Sequence, residues 1–240
     1  LPASAMTTDA QKQANKTQDA ARKGRRFQLW LEIADDKRVR RIMRKEKLPS
    51  KIAAVRFLLE AYEGKALVNS MTGEDDRMDL ILPLIKKHNA AIIALPNDEI
   101  GIPATAAERI VITEKIIRAV EKHGISLDNL VIDPLAMTVG ADPDAVKITL
   151  ETIHLIREKF GLNMTLGASN ISFGLPNRHA LNAAFLPAAM SHGLTCAVMD
   201  ARTPAINEAV RAADLLLGMD QWGGNWISRF RAQEAAKTEG

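Results

Sequence analysis

Five polar residues, Asn69, Asp98, Asp133, Asn170 and Asp200, recur about every 30–35 residues along the chain. Each sits at the end of a short apolar run: "LVNS", "IIALPND", "LVIDP", "MTLGASN" and "AVMDA". Carboxylates and carboxamides at such places do one kind of chemistry well, accepting and donating hydrogen bonds to a polar ligand. The stretch "LGASNISFGLPNR" (166–178) adds room for one. Gly167, Ala168 and Ser169 carry almost no bulk, so a large group can approach the backbone while Asn170 hydrogen-bonds it. Ser and Asn also cap helices and turns, so the same stretch reads equally as the entry to the next helix. No Ser-His-Asp or Cys-His arrangement offers a side-chain nucleophile. The histidines (His88, His123, His154, His179, His192) include no HxH or HxxxH pair, and there is one cysteine, Cys196. That excludes a disulfide within the chain and a structural cysteine zinc site, and no metal is expected. In the apolar "TCAVM", Cys196 reads as a buried, inert thiol.

The elements that must position these residues follow from the hydrophobic pattern. From Lys65 onward, "KALVNS", "AAIIALPND", "NLVIDP", "NMTLGASN" and "TCAVMDA" each precede a helical pattern. The spacing predicts helices over about Ala106–His123 and Pro143–Phe160, among others. The result is five strand–loop–helix units, an α/β chain with a parallel sheet covered on both faces. In such a sheet the C-terminal ends of all strands lie on one side, where ligands bind. Five polar tips in register favour a shared pocket over five separate helix caps. No GxGxxG or GxxxxGK follows a strand, so a dinucleotide or P-loop site has no support. Tips on every consecutive strand suit a TIM-type (β/α) barrel, incomplete at its N-terminus because five units fall short of eight.

The 240 residues are 47% hydrophobic and 25% charged, as in an ordinary globular protein. No apolar run reaches the roughly 18 residues of a membrane span, and the N-terminus lacks a signal-peptide design. The expectation is a cytoplasmic protein. The net charge of +3 conceals an asymmetry: residues 1–64 hold 15 Lys/Arg against 8 Asp/Glu, and the rest 17 against 21. Residues 1–26 read as a basic, disordered or helical arm, 27–62 as a strand–helix–helix segment, and 63–240 as the barrel portion. The order in 27–62 faintly resembles a ribbon-helix-helix DNA-binding module. A solvated charged helix is the preferred reading there, and a nucleic-acid partner through residues 22–56 is the alternative.

"LVNS", "IDPL" and "GASNISF…NR", in that order, resemble the pterin-binding barrels of the methyltetrahydrofolate:corrinoid methyltransferases and the folate domain of cobalamin-dependent methionine synthase. "NDEIGIP" and "AVMDA" match as well, and the resemblance covers about residues 63–232. It implies an enzyme that binds 5-methyltetrahydrofolate and passes the methyl group to the Co(I) corrinoid of a partner protein, working as a homodimer. It implies that Asn170 is the catalytic residue, hydrogen-bonded near N5 of the pterin. Asn69 and Asp133 would hold the amino-oxo edge, Gly167 would admit the flat ring, and Asp98, Ser169, Arg178 and Asp200 would line the same mouth. Two adjacent N–H donors on a pterin suit a buried carboxylate, which accepts them as a pair. Dihydropteroate synthase is the nearest alternative on this barrel, but "GASN" and "MDAR" stand where it would need a lysine and an Arg-x-His. Residues 1–64 lack the family's opening "DVN"-type motif and third-strand Asp. A non-catalytic fragment with a basic nucleic-acid-binding module is therefore the remaining alternative.

Overall fold

Short runs of β-branched and small apolar residues make poor helices but fit a pleated sheet buried on its faces. In this chain each such run pairs in parallel with the next. A computed structural model of the protein describes residues 31–32 and 43–238. Its strands are β1 (Leu31–Glu32), β2 (Leu67–Thr72), β3 (Ala91–Leu95), β4 (Leu130–Ile132) and β5 (Asn163–Met164), in one sheet of order β1-β2-β3-β4-β5. Helices α1 (Lys51–Ala61), α2 (Asp75–Lys87), α3 (Ala106–Lys122), α4 (Ala145–Phe160), α5 (Arg178–Ser191), α6 (Pro204–Leu216) and α7 (Gly224–Thr238) complete the described chain. Two helices expected from sequence form almost where expected. α3 starts on a capping box, in which Thr105 Oγ1 accepts from Glu108 N while Glu108 Oε2 accepts from Thr105 N. α4 stops at Gly161, whose left-handed φ of 64° turns the chain out of the helix.

A parallel sheet in strict chain order needs a crossover between every pair of strands, and right-handed crossovers place all the helices on one face. Side-chain alternation agrees. Val68, Met71, Ile92, Ala94, Leu130, Ile132, Met164 and Leu166 belong to the core shared with the helices. Their neighbours along each strand point to the other, inner face: Asn69, Ile93, Val131 and Asn163 form one row by register. Where cover on both faces is expected from sequence, the helices among the described residues pack on one face of the sheet. β2 carries a register shift between Asn69 and Met71, where the Asn69–Ser70 peptide bond is cis.

Ahead of Lys65, Leu31 and Glu32 pair in parallel with Val68 and Asn69, and Val55 and Leu59 of α1 enter the same core as the strands. The arm at 1–26 and much of the basic stretch at 22–56 lie outside the described residues. The strand expected at "TCAVMDA" does not form a ladder. One backbone bridge, Gly167 with Val198, stands in place of a ladder. The cause lies at Thr195, whose hydroxyl accepts from Met164 N (2.8 Å) and donates to Met164 O (2.9 Å), so a side chain occupies the groups a strand would have used. Cys196 therefore lies exposed rather than buried, because its segment is not enclosed in the sheet.

Candidate functional site

The loop after β4 is the most heavily built part of the inner face. Asp133 N donates to Ala94 O (2.9 Å), the last tie to β3 before Pro134, which has no N–H to continue. The Leu135 N–H donates to Asp133 Oδ1 at 2.9 Å, and Leu135 itself adopts a left-handed φ of 62°. Arg109, on the first turn of α3 and only 3% exposed, reaches under this loop. Its Nη1 donates to Pro134 O (2.8 Å) and Leu135 O (2.9 Å), and its Nε to Pro103 O (3.3 Å) in the loop after β3. Thr149 of α4 shares its hydroxyl proton between Ala145 O and Leu135 O. Burial pushes the Asp133 carboxyl up to about 6, against the Leu135 N–H and the Arg109 charge, which pull the other way. Burial lowers Arg109 in turn, and Asp133 partly restores it.

The second cluster follows β5. Ala168–Ser172 is a 3-10 turn, and the Asn170 side chain folds back over Gly167. A β-carbon at 167 would meet Asn170 Nδ2 at 3.0 Å and Cγ at 3.3 Å, so the glycine makes room for the carboxamide. Arg178, at the start of α5, braces the turn: Nη2 donates to Ser169 O (2.7 Å) and Nε to Ser172 Oγ (3.1 Å), and the guanidinium lies 5.8 Å from the Phe173 ring centroid. Ser172 Oγ passes its own proton to Asn182 Oδ1 (2.8 Å), and both residues are buried.

Alternation places Asn69, Asp133 and Gly167 on the same inner face, with Asn170 above Gly167 and Ser169 and Arg178 in its turn. Thr72 and Thr165 share that face, each with a buried hydroxyl lacking a partner among the described residues. Asp98 and Asp200 are each satisfied within their own loops. Asp98 Oδ1 accepts Ile100 N within its own loop, beside a cavity of about 380 Å³ lined by Ile102, Pro103 and Val111. Asp200 is exposed and accepts three hydrogen bonds from Arg202, which hold its carboxyl down at about 2. Arg109, Thr149, Ser172 and Asn182 were not singled out from sequence. Arg109 could have been: it sits three residues after Ala106 and three, four and seven before Ile112, Thr113 and Ile116, on the buried stripe of α3.

Among the described residues no three His, Cys, Asp or Glu side chains cluster as a metal site, and no helix is long and apolar enough to cross a membrane. Residues 50–200 match the family model described as "Pterin binding enzyme". The chain is 33% identical over 168 residues to a methylcorrinoid:tetrahydrofolate methyltransferase of Eubacterium limosum, a match covering 69% of this chain and 62% of that protein. It is 33% identical over 156 residues to a methionine synthase of Mycobacterium tuberculosis, covering 60% of this chain and 13% of that one. A dihydropteroate synthase of Coxiella burnetii, solved with pteroic acid, superposes with a TM-score of 0.46 at 14% identity over 91% of this chain and 90% of that one. The chain thus spans under two thirds of the length of the curated relatives it matches. With the family's model extending over well more than half of its length, the chain belongs to the pterin-binding enzymes.

Proposed function

We propose that the protein is a methyltransferase that binds a tetrahydrofolate on the inner face and moves a methyl group between its N5 and the corrinoid of a partner protein. One observation carries the reading: Asp133 and Gly167 share one sheet face past the strand ends with Asn69, which lies on that face within β2 rather than at its tip, and the Asn170 carboxamide is laid over Gly167. A carboxyl near 6 is mostly ionised at neutral pH, so Asp133 can accept the paired N–H donors of a pterin ring. Asn69 complements it with an amide that both donates and accepts. The bare Gly167 lets the Asn170 carboxamide lie close against the chain, where it can meet a flat ring on that face.

A Co(I) corrinoid held by a partner protein would supply the nucleophile for the methyl carbon. As the methyl–N5 bond breaks, its electron pair stays on N5, which must gain a proton or a donated hydrogen bond. Asn170 Nδ2 can donate there, and the bond strengthens as charge develops on N5, which is transition-state stabilisation. No side-chain nucleophile is required. The name of the Eubacterium limosum relative puts the methylcorrinoid first, and the same residues serve the reverse transfer through the same transition state. The reading includes a homodimer. Leu216, Met219, Trp222 and Phe230, all strongly exposed around the α6–α7 corner, offer an apolar surface for it, which sedimentation would test.

The deciding experiment is a titration with 5-methyltetrahydrofolate, with and without a Co(I) corrinoid. Binding in the micromolar range is expected, and Asn170→Ala should slow transfer roughly 100-fold while changing affinity less than about threefold. A wild-type chain that binds no folate, or an Asn170→Ala variant that loses binding and transfer equally, sinks the reading.

A further inference from the structure

Arg109 lies outside the binding face, and no carboxylate stands within ion-pair distance of it among the described residues, yet it is almost fully buried. We propose that Arg109 is the positioning residue of the Asp133 loop, fixing where that carboxylate points by holding the Pro134 and Leu135 carbonyls. The proposal rests on the pterin-binding reading of Asp133.

Buried guanidinium groups are rare, and replacing one by an apolar side chain of similar volume is often neutral or stabilising. Packing alone therefore does not explain this residue. Its hydrogen bonds do. Two of the three carbonyls it holds belong to Pro103 and Pro134, residues with no N–H through which the loops after β3 and β4 could be knitted. The third belongs to Leu135, a branched residue in the left-handed region that needs outside support to stay there. The Pro134 carbonyl shares its peptide plane with the Leu135 N–H, so holding that carbonyl aims the N–H at Asp133 Oδ1, and Oδ2 carries no hydrogen bond among the described residues. One oxygen is anchored, and the other remains available to a ligand.

Charge supports the geometry. Arg109 is the charged group that acts on Asp133, which it holds below the value burial alone would give. The other neighbours are uncharged: Ala94 and Leu95 from β3, Thr165 beyond β5, and Thr149 from α4.

Two variants separate position from charge. Arg109→Lys keeps the cation but loses the planar fork that reaches two carbonyls at once, whereas Arg109→Gln keeps a planar donor and loses the charge. The full chain is titrated without ligand by carboxyl ¹³C NMR of Asp133, and 5-methyltetrahydrofolate affinity is measured from pH 5.5 to 8. Arg109→Lys should leave the Asp133 midpoint within about half a unit and weaken binding roughly tenfold. Arg109→Gln should raise the midpoint by about one unit, with affinity recovering as pH rises. Thr149→Val, which removes the second donor to Leu135 O, should shift affinity in the same direction by less. Should the arginine variants fail to fold, a Thr149→Val variant with wild-type affinity and an unchanged Leu135 amide shift overturns the proposal. So do folded arginine variants with an unmoved midpoint and wild-type affinity. A midpoint that moves while no form binds the folate upholds the role of Arg109 and strikes the pterin reading instead.

Discussion

Asp133 and Asp200 end runs that look alike, "LVID" and "AVMD", but the folded chain treats them in opposite ways. Asp133 is held on the inner face by two loops and two helices, and burial lifts its carboxyl to about 6. Asp200 is exposed, satisfied by its neighbour Arg202, and sits near 2. A buried acid lowers the stability of the chain that holds it. An exposed paired acid does not. Function tends to keep costs of the first kind in place, so the comparison itself points to Asp133 as the group a ligand uses.

The largest effect tests that directly. Asp133→Asn removes the charge from a paired hydrogen-bond acceptor and should weaken 5-methyltetrahydrofolate binding at pH 7 about 100-fold, measured by calorimetry. Asp200→Asn should change it less than about threefold. Equal losses in the two variants would break the contrast.

Stability should move the other way. The folded-state value of Asp133, about 6, lies above the reference 3.8, so between about pH 4 and 6 the folded chain holds more protons than the unfolded one. The contribution of this group is therefore full below about pH 4 and declines as pH rises through 6. At most it amounts to roughly 3 kcal/mol, from 1.36 kcal/mol per unit. Urea unfolding at pH 4, 5, 6 and 7 should show that decline in the wild type and a flatter profile in Asp133→Asn, which should be the more stable protein at pH 7. Asp200 has the reverse sign. Its lowered value helps the folded chain above about pH 4 and loses that help as pH falls toward 2.

What the sequence made legible was what depends on local pattern. Continuous apolar runs with one polar residue predicted β2, β3, β4 and the Gly167 turn, and a 3.6-residue stripe predicted α3. What it hid depends on neighbours far along the chain. Thr195 replaces a backbone ladder by two side-chain hydrogen bonds to Met164, 31 residues away, so "TCAVMDA" keeps a strand's composition without becoming one. Cys196 is exposed for the same reason. Asp98, Asp133 and Asp200 each accept the N–H two residues on, and what sets Asp133 apart is the cover over its loop, supplied by Arg109 and Thr149 from helices before and after it.

Within the Gly167 turn the contrast sharpens to a single methyl group. Gly167 has an ordinary φ of −74°, which alanine also adopts, so Gly167→Ala carries no backbone strain. Its β-carbon would press on the Asn170 amide at 3.0 Å. The carboxamide must give way, and a displaced donor should slow methyl transfer about tenfold while thermal stability changes by under about 1 kcal/mol. Equal rates in wild type and variant would remove Asn170 from the reacting centre.

The smallest effects come from two arginines. Arg178 and Arg202 each hold a turn near a strand end, but Arg178 binds a buried hydroxyl and a carbonyl whereas Arg202 is 91% exposed on its own carboxylate. Lysine at 178 cannot reach Ser169 O and Ser172 Oγ together, leaving the Ser172–Asn182 pair without its third member, at a cost of about 1–2 kcal/mol in thermal unfolding. Arg202→Ala removes an ion pair that water already screens, and the thermal unfolding midpoint should not shift measurably. The change should instead appear in the Asp200 titration, which rises toward 3.8 once the guanidinium is gone. An Arg202→Ala variant that melted as early as Arg178→Lys would mean that the Asp200 turn is structural, and the division between a ligand acid and a surface acid would have to be drawn elsewhere.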